Sequence, residues 1–229
     1  MSDLVLLHGA LGSLAQMAPL KSLFDGRNVV LIDFPGHGIR VDELEGFSIE
    51  AFSKDLAKIL DQNSEPIDLF GYSMGGYVAL NLAKEKPEKF NSIATLGTKF
   101  QWDPEAASKE VKMLNPEKIG EKVPALAKQL ADRHGENHWE EVVLKTAEML
   151  EQMGHNPPLD DKGFKNIKVP VRLMLGDQDE MVSREETNKV DQLLPNSEFF
   201  LLENTPHPFE KVDHSNVAGL VKEFCHLHQ

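Results

Sequence analysis

Cysteine is almost absent from this sequence, since Cys225 is the only one in 229 residues. A single thiol cannot build an internal disulfide framework, which excludes the small disulfide-stabilised secreted proteins. Residues 1–4 also lack the basic segment that opens a secretory signal peptide. Both features predict a protein of the reducing cytoplasm. Cys225 lies among apolar residues near the C-terminus, which predicts a packed thiol and not a catalytic one.

Positive charge is also scarce. The chain has 24 Lys and Arg residues against 37 Asp and Glu residues, for a net charge of −13. Such a surface repels phosphate groups, which excludes nucleic acid as a partner. Only five of the basic residues are arginines, so few side chains could clamp a substrate carboxylate through two hydrogen bonds. We expect a small-molecule substrate as the partner. The oligomeric state cannot be read from the sequence.

Long hydrophobic runs are missing as well. No apolar stretch approaches the roughly 20 residues that span a bilayer, so we expect no membrane partner. Hydrophobic residues still make up 41% of the chain, which is enough for a sizeable core. The length suits one large α/β domain that carries a small insertion.

Short apolar runs recur along the chain and alternate with helical patterns. These runs predict strands that are buried on both faces of a parallel sheet. Their alternation with helices predicts an α/β fold with a doubly wound, mostly parallel sheet and right-handed crossovers. The predicted strands are residues 4–7, 28–32, 67–70, 92–97, 169–175 and 197–202.

Residues 99–165 differ from the rest of the chain. Proline and glycine break this stretch into short helical segments, and it has no strand pattern. We predict a small helical lid inserted over the carboxyl edge of the sheet, where open α/β sheets bind ligands. The core then consists of residues 1–98 and 166–229.

The apolar residues of the predicted lid are candidates for a substrate pocket, although they could equally form the lid's own packing. The candidates are Trp102, Trp139, Met149 and Met153, together with Leu11 and Tyr72 of the core. The histidines of this stretch, His134, His138 and His155, do not have the spacing of zinc ligands. We expect neither a metal nor a cofactor.

The stretch Gly-Tyr-Ser-Met-Gly-Gly at residues 71–76 has the pattern Gly-x-Ser-x-Gly between a predicted strand and a predicted helix. A serine on such a sharp turn presents its hydroxyl at the edge of the sheet, and the flanking glycines let the turn close. Ser73 is therefore the candidate nucleophile. The alternative is a glycine-rich turn whose serine only caps a helix.

Two backbone amides are candidates for an oxyanion hole. The Met74 N–H follows the serine at the positive end of a helix. The Ala10 N–H lies in the glycine-containing loop after the first strand. His8 in that loop is a weaker candidate for proton transfer, and Asp33 and His37 after the second strand are expected to order their own loop.

A serine hydroxyl needs a base to remove its proton, and the base needs a carboxylate to fix its tautomer. In this kind of fold the order along the chain is Ser, Asp, His. Asp179 and His207 each follow a late strand, so both would lie at the edge that carries Ser73. Asp177 is the rival acid, nearer the strand end. His214, His226 and His228 are rival bases within or after the final helix.

Taken together, these motifs resemble the α/β-hydrolase fold family over nearly the whole chain outside the predicted lid. The resemblance implies that Ser73, Asp179 and His207 form a catalytic triad and that the Ala10 and Met74 amides form the oxyanion hole. The family usually begins with two antiparallel strands that this chain lacks. The matching stretches are residues 7–13, 33–38, 71–76, 176–179 and 205–207.

The first three of these motifs are most similar to the branch that contains the synthase of 2-succinyl-6-hydroxy-2,4-cyclohexadiene-1-carboxylate. That branch uses its triad as a base to eliminate pyruvate, without an acyl-enzyme, and holds substrate carboxylates with arginines. One of these arginines often directly follows the second glycine of the serine turn. Tyr77 occupies that position here.

The sequence therefore predicts a cofactor-free serine hydrolase that cleaves a small, fairly apolar ester through an acyl-enzyme. A carbon–carbon lyase or a thioesterase on the same triad is one alternative. A non-enzymatic small-molecule receptor with this fold is the other.

Overall fold

Six parallel strands form a single sheet in the computed structural model, which describes residues 2–228. Their order across the sheet is β2-β1-β3-β4-β5-β6, and every pairing is parallel. The predicted parallel sheet is confirmed. The strands are β1 (Leu4–Leu7), β2 (Val29–Ile32), β3 (Ile67–Tyr72), β4 (Phe90–Leu96), β5 (Val171–Gln178) and β6 (Ser197–Pro206).

Residues 2–228 contain ten α-helices, nine of them between strands and the last after β6. Polar residues cap several of them, as at Ser48, whose hydroxyl accepts the Ala51 N–H. Three helices between β4 and β5 begin with proline, whose fixed φ suits the first turn. The helices are α1 (Leu14–Lys21), α2 (Ile49–Leu60), α3 (Met74–Glu85), α4 (Pro104–Val111), α5 (Pro116–Lys122), α6 (Pro124–His134), α7 (Trp139–His155), α8 (Asp161–Asn166), α9 (Arg184–Leu193) and α10 (His214–Leu227).

Helices cover both faces of the sheet because alternate residues of each strand point to opposite sides. In β1, Val5 and Leu7 belong to a core that also contains residues of α2, α3 and α9. Leu4 and Leu6 belong to a second core with residues of α1 and α10. The fold is therefore doubly wound, as predicted.

The last two strands extend further towards their carboxyl ends than the sequence indicated. β5 continues to Gln178 and β6 to Pro206, and these two residues pair after a shift in register. The polar residues 203–205 obscured this extension in the sequence because their side chains are not those of a buried strand. As a result, His207 directly follows β6.

Helices α4–α8 lie between β4 and β5, and residues 99–165 contain no strand. The division into a core and a lid stays a prediction, and the core's end residues, Met1 and Gln229, lie outside the described part. In residues 2–228 no helix combines the length and the apolar character required to cross a membrane.

Because the strands are parallel, the loops that follow them emerge at one edge of the sheet. This edge carries the loops after β1, β3, β4, β5 and β6, and thus all five residues of the predicted catalytic site. The sheet topology brings together groups that are as much as 197 positions apart in the sequence, from Ala10 to His207.

Candidate active site

Ser73 is the single residue between β3 and α3, and it has a φ of 50° and a ψ of −116°. A non-glycine residue in this region carries on the order of 1–3 kcal/mol of strain and needs support from its surroundings. The Ser73 N–H donates to the Leu96 carbonyl at 2.9 Å. The Thr98 hydroxyl donates to the Ser73 carbonyl at 3.0 Å. The adjacent strand β4 and the residues after it therefore hold the turn.

The glycines around Ser73 are required by close backbone contacts. A Cβ atom at Gly71 would collide with the backbone nitrogen of Gly76, and one at Gly75 would lie 2.7 Å from the His8 carbonyl oxygen. Any side chain at these positions would push α3 away from β1 and β3. The spacing of glycines that identified the motif is thus a packing requirement of the turn.

The imidazole of His207 lies between the serine and a carboxylate. Its Nε2 is 3.5 Å from the Ser73 Oγ, and its Nδ1 is 2.7 Å from the Asp179 Oδ2. The first distance is long for a hydrogen bond, as is common before substrate binds. The Tyr72 hydroxyl donates to the His207 carbonyl at 2.9 Å, which fixes the backbone that carries the imidazole.

Asp179 is held in place by its own loop. Its Oδ1 accepts the backbone N–H groups of Met181 and Val182, at 2.8 and 2.9 Å. Its side chain is only 2% exposed, while that of His207 is 11% exposed. The rival Asp177 is exposed and accepts the Thr205 N–H at 3.2 Å, so it ties the carboxyl end of β5 to that of β6.

Gly97 lies directly beneath the Asp179–His207 pair. It has a φ of +59°, and a Cβ there would be 3.2 Å from both the Asp179 Oδ2 and the His207 Nδ1. Glycine is the residue that accepts this φ without strain, and it leaves room for the pair to approach. Gly97 was not among the predicted site residues, although a glycine at the end of a strand is the signal that could have identified it.

The rival histidines lie away from Ser73. His214 bonds the Phe209 carbonyl through its Nε2 at 2.9 Å and so closes the turn before α10. His226 is exposed in the last turn of that helix, and the His228 ring packs against Phe224.

The two candidate oxyanion donors line the same cleft as Ser73 and His207. Among residues 2–228, neither the Ala10 N–H nor the Met74 N–H donates to another protein group. Met74 is the first residue of α3, so its N–H lies at the positive end of the helix dipole. Both amides are thus available to an oxygen atom of a ligand.

His8 and Asp33 order loops beneath the cleft. His8 is buried and accepts the Phe34 N–H at its Nε2, at 3.2 Å. Burial lowers the pKa of His8 to about 3, so this imidazole is neutral. Asp33 accepts the N–H groups of Leu14 and Ile39 at 2.6 and 2.9 Å. His8 does not line the cleft that Ser73 and His207 share.

Two further buried histidines, His37 and His134, lie near His8. Burial lowers the pKa of both His37 and His134, which keeps these rings uncharged near neutral pH. The Nδ1 of His134 accepts the Gly38 N–H at 3.1 Å, and its Nε2 lies 3.1 Å from the Leu11 carbonyl oxygen. Since Nδ1 accepts, Nε2 carries the proton and donates to Leu11.

The cleft beside Ser73 contains about 510 Å³ of empty space, part of it open to solvent. Three of the predicted pocket residues line it, namely Trp102, Met149 and Met153. Other lining residues were not predicted, because their side chains come from separate elements and share no sequence pattern. They are Ile49, Tyr77, Lys99, Glu110, Leu150, Met181 and Val182.

The other three predicted pocket residues lie outside this lining. Trp139 belongs to a small core within α5–α7, and Leu11 packs against it. Tyr72 points to the opposite face of the sheet and contacts Phe209 with a ring separation of 4.9 Å. Aromatic and aliphatic residues near the serine turn are also needed to pack the core, so a role of these three residues in substrate binding stays a prediction.

Tyr77 lines the cleft but its hydroxyl is engaged elsewhere. The Leu159 N–H donates to that hydroxyl at 3.2 Å. Burial raises the pKa of Tyr77 above its ordinary value, so the residue is neutral. Within residues 2–228, no group of three or more His, Cys, Asp or Glu side chains could hold a metal ion.

Comparison with known proteins identifies the family to which this geometry corresponds. The family model described as alpha/beta hydrolase fold matches residues 4–137. The 2-succinyl-6-hydroxy-2,4-cyclohexadiene-1-carboxylate synthase of Yersinia pestis is 29% identical over 204 residues, which covers 77% of this chain and 72% of that protein. The pimeloyl-[acyl-carrier protein] methyl ester esterase of Vibrio campbellii is 32% identical over 101 residues, 42% of this chain and 37% of that protein.

Other relatives are much longer than the region they share. The chain spans only 17% to 35% of the length of the first curated relatives it matches. Among solved structures, MenH from S. aureus aligns with a TM-score of 0.79 at 22% identity, covering 100% of this chain and 94% of that chain. At this identity the likeness establishes the fold alone.

Proposed function

The chain belongs to the α/β-hydrolase fold family, and on that basis we propose that it is a serine hydrolase that cleaves a small carboxylic ester. It is an enzyme, in keeping with relatives named as synthase and esterase, which argues against the alternative of a non-enzymatic receptor. The main support for the hydrolase is the alignment of Ser73, His207 and Asp179, with 3.5 Å between the first two side chains and 2.7 Å between the last two.

Each group of the proposed triad has one role. The Ser73 oxygen attacks the carbonyl carbon of the ester while the His207 Nε2 takes its proton. Asp179 holds the imidazole through Nδ1 and stabilises the positive charge that forms. The negative oxygen of the tetrahedral intermediate accepts the Ala10 and Met74 N–H groups, each worth roughly 3 kcal/mol of transition-state stabilisation.

The second half of the reaction uses the same residues. The imidazolium of His207 protonates the departing alcohol as the carbon–oxygen bond breaks, which leaves the acyl group on Ser73. Water, activated by the neutral His207, then attacks this acyl-enzyme and releases the carboxylic acid. No step requires a metal or a cofactor.

The cleft favours a small substrate with an apolar acyl group. Most of its lining consists of methionine and aliphatic side chains, among them Met149, Leu150 and Met153. Methionine is flexible enough to pack against chains of different shape.

We also propose that residues 99–165 act as a lid over this cleft, since Trp102, Glu110 and Met149 all belong to that stretch.

A carbon–carbon lyase is the second candidate because of the Yersinia pestis synthase. Two features of the site oppose a substrate with several carboxylates. Tyr77 replaces the arginine expected in that branch, and its hydroxyl bonds Leu159. Among the described residues that line the cleft, Lys99 is the one lysine or arginine, and the carboxylate of Glu110 lies beside it. A thioesterase would use the acyl-enzyme route and differs only in the leaving group.

Intact-mass analysis during turnover tests the proposal. Mixing the enzyme with a short p-nitrophenyl ester is expected to add the mass of one acyl group to the protein. In Ser73→Ala this adduct should be absent, and kcat should fall by roughly 10⁶-fold. The melting temperature of that variant should stay nearly unchanged. Ester turnover at the wild-type rate by Ser73→Ala would contradict the proposal. Elimination of pyruvate from the synthase substrate without any adduct would support the lyase instead.

A cytoplasmic location is also proposed. It rests on Cys225, which is buried as a free thiol against Ser92. A reducing compartment suits a protein in which no disulfide contributes to stability.

A further inference from the structure

Two charged side chains lie in the otherwise largely apolar cleft of Ser73. Lys99 follows β4 and Glu110 belongs to α4, and both line the cleft. The Lys99 Nζ is 3.7 Å from the Glu110 Oε1, and the two side chains are 18% and 6% exposed. Burying a charged pair in an apolar pocket is costly unless further hydrogen bonds satisfy both groups.

The ammonium group of Lys99 is only partly satisfied by the protein. It donates to the Met181 carbonyl at 3.1 Å, and it lies 5.9 Å from the centre of the Trp102 ring. An ammonium has three N–H donors. Within residues 2–228, the Lys99 ammonium forms a hydrogen bond with no acceptor other than the Met181 carbonyl, since the 3.7 Å separation from Glu110 is too long for one.

The carboxylate of Glu110 has even fewer hydrogen-bond partners than the Lys99 ammonium. Among the described residues, no donor forms a hydrogen bond with its oxygens, and Lys99 at 3.7 Å is its one ion-pair partner. A carboxylate can accept about four hydrogen bonds. Glu110 is nevertheless buried, at 5% exposure. The cleft thus presents an open donor and an open acceptor side by side.

The charges of the pair determine which ligand group fits between them. A carboxylate would accept from Lys99 but would face the like charge of Glu110, and an amine would face Lys99 in the same way. A methyl group would leave the remaining hydrogen-bonding capacity of both charged groups unfilled in an apolar pocket. A hydroxyl or a primary amide can accept from Lys99 and donate to Glu110 without adding charge.

We propose that the Lys99–Glu110 pair is a specificity site for the far end of the acyl chain. It selects a neutral group that both donates and accepts hydrogen bonds, such as a hydroxyl or a carboxamide. The assignment to the acyl chain rests on the proposed hydrolase, because the acyl group stays bound to Ser73 through both halves of the reaction. The substrate class is therefore an ω-hydroxy or ω-carboxamide acyl ester.

A purely structural role of the pair would have a different signature. The Met181 carbonyl accepts from Lys99 while the Met181 N–H donates to Asp179, so Lys99 also supports the loop of the acid. Loss of that support would change kcat for every ester by the same factor. A specificity site instead changes the ratio between esters that differ only in their end group.

Methyl esters with acyl chains of four to ten carbons provide the test, because methanol is too small to occupy the cleft. At each length the chain ends in a methyl, hydroxyl, carboxamide or carboxylate group, and acid release gives kcat/KM. For the wild-type enzyme we expect kcat/KM of the hydroxyl or carboxamide esters to exceed that of the methyl-ended ester by about tenfold at the best length. The carboxylate-ended esters should be the poorest.

Three variants locate the effect. Lys99→Met and Glu110→Gln should each reduce the preference, and Lys99→Met combined with Glu110→Leu should reverse it in favour of the methyl-ended ester. Lys109→Met is the matched control, since Lys109 is exposed on the same helix and does not line the cleft. Its preference should equal that of the wild type. Melting temperatures identify any variant that fails to fold, and Glu110→Gln keeps the shape of the side chain.

Two outcomes overturn the inference. One is equal kcat/KM for the four end groups at every chain length, and the other is an unchanged preference in the double variant. If no ester is hydrolysed, the proposed function fails separately. Calorimetric binding of the same esters to Ser73→Ala then decides the specificity site, because equal affinities of hydroxyl-ended and methyl-ended esters would refute it.

Discussion

The acid and the base of the site are oriented by backbone groups as well as by each other. Asp179 accepts two amides with one carboxylate oxygen and holds His207 with the other. The Tyr72 hydroxyl bonds the backbone of His207. The histidine therefore has little freedom to rotate, which is what a general base with a fixed tautomer requires.

Replacement of Asp179 by Asn should separate orientation from charge. The amide oxygen can still accept the Met181 and Val182 N–H groups, so the loop keeps its shape. The amide group cannot stabilise the imidazolium of His207, and we expect kcat to fall by roughly 10⁴-fold. Steady-state kinetics on a short ester measure this, with Asp177→Asn as the control. Comparable losses in the two variants would show that the choice of acid was wrong.

Gly97→Ala tests the space beneath the pair. The new methyl group would lie 3.2 Å from Asp179 and His207 in a backbone conformation with a φ of +59°. We expect a loss of about 1–2 kcal/mol in the free energy of unfolding and a fall in kcat on the order of 10²-fold. Gly120→Ala is the control, because Gly120 is in helix α5 with open space around it. Chemical denaturation should show that Gly120→Ala is no less stable than the wild type, and equal effects of the two variants would exclude a special role for Gly97.

At the scale of elements, helix α6 is bonded to the loop that carries the Ala10 amide. The Leu11 carbonyl accepts from Arg133 at 3.2 Å and from His134 at 3.1 Å. Leu11 has a φ of 57° and its side chain packs against the core of α5–α7. Arg133 also pairs with Glu210, three residues after His207. Helix α6 is therefore bonded both to the loop of the proposed oxyanion donor Ala10 and to the segment that follows the proposed base His207.

We expect His134→Ala to lower kcat by roughly tenfold to a hundredfold while KM changes little, because the Leu11 carbonyl would lose a donor and the Ala10 amide its position. His134→Gln should recover part of this loss, since its amide can accept from Gly38 and donate to Leu11. The rate of inactivation by a fluorophosphonate gives a second measurement, as this reagent also places an oxygen in the oxyanion hole.

Lys128→Ala controls for a general effect on α6, because Lys128 is exposed and, within residues 2–228, its ammonium pairs only with Asp132 of the same helix. A change confined to KM in His134→Ala would mean that α6 contributes to substrate binding and not to the oxyanion hole.

At the scale of the whole molecule, three buried neutral histidines couple stability to pH. Burial lowers the pKa of His8 to about 3 and lowers the pKa of His37 and His134 below the ordinary value. In the unfolded chain each of them has a pKa of about 6.5. Below that pH the unfolded state binds more protons than the folded state, so folding loses stability as pH falls.

We therefore expect full stability above pH of about 6.5 and a progressive loss from there towards acid pH. Each histidine that stays neutral contributes a slope of up to about 1.4 kcal/mol per pH unit. Denaturation curves between neutral pH and about pH 5 measure this slope. His37→Leu should reduce it by the share of one histidine, since the Nε2 of His37 has no hydrogen-bond partner in residues 2–228. A slope unaffected by this substitution would exclude His37 as a source.

Local sequence patterns determined the strands, the serine turn and the order of the candidate triad. Short apolar runs that alternate with helical patterns indicate the strands of a sheet that helices cover on both faces. The glycines at 71 and 75 are needed because the backbone of the serine turn comes so close to its neighbours. Ser73, Asp179 and His207 each follow a strand, so the parallel topology alone predicted their common edge. These features depend on neighbours along the chain, which the sequence displays directly.

Tertiary structure alone decided the contents of the cleft. Leu11 and Tyr72 are adjacent in sequence to cleft residues but point into cores, while Lys99 and Glu110 come from a strand end and a helix and meet inside the cleft. Which face of an element points to the substrate depends on how the helices between β4 and β5 pack. That packing depends on contacts between residues far apart in the chain, so no local pattern could reveal it.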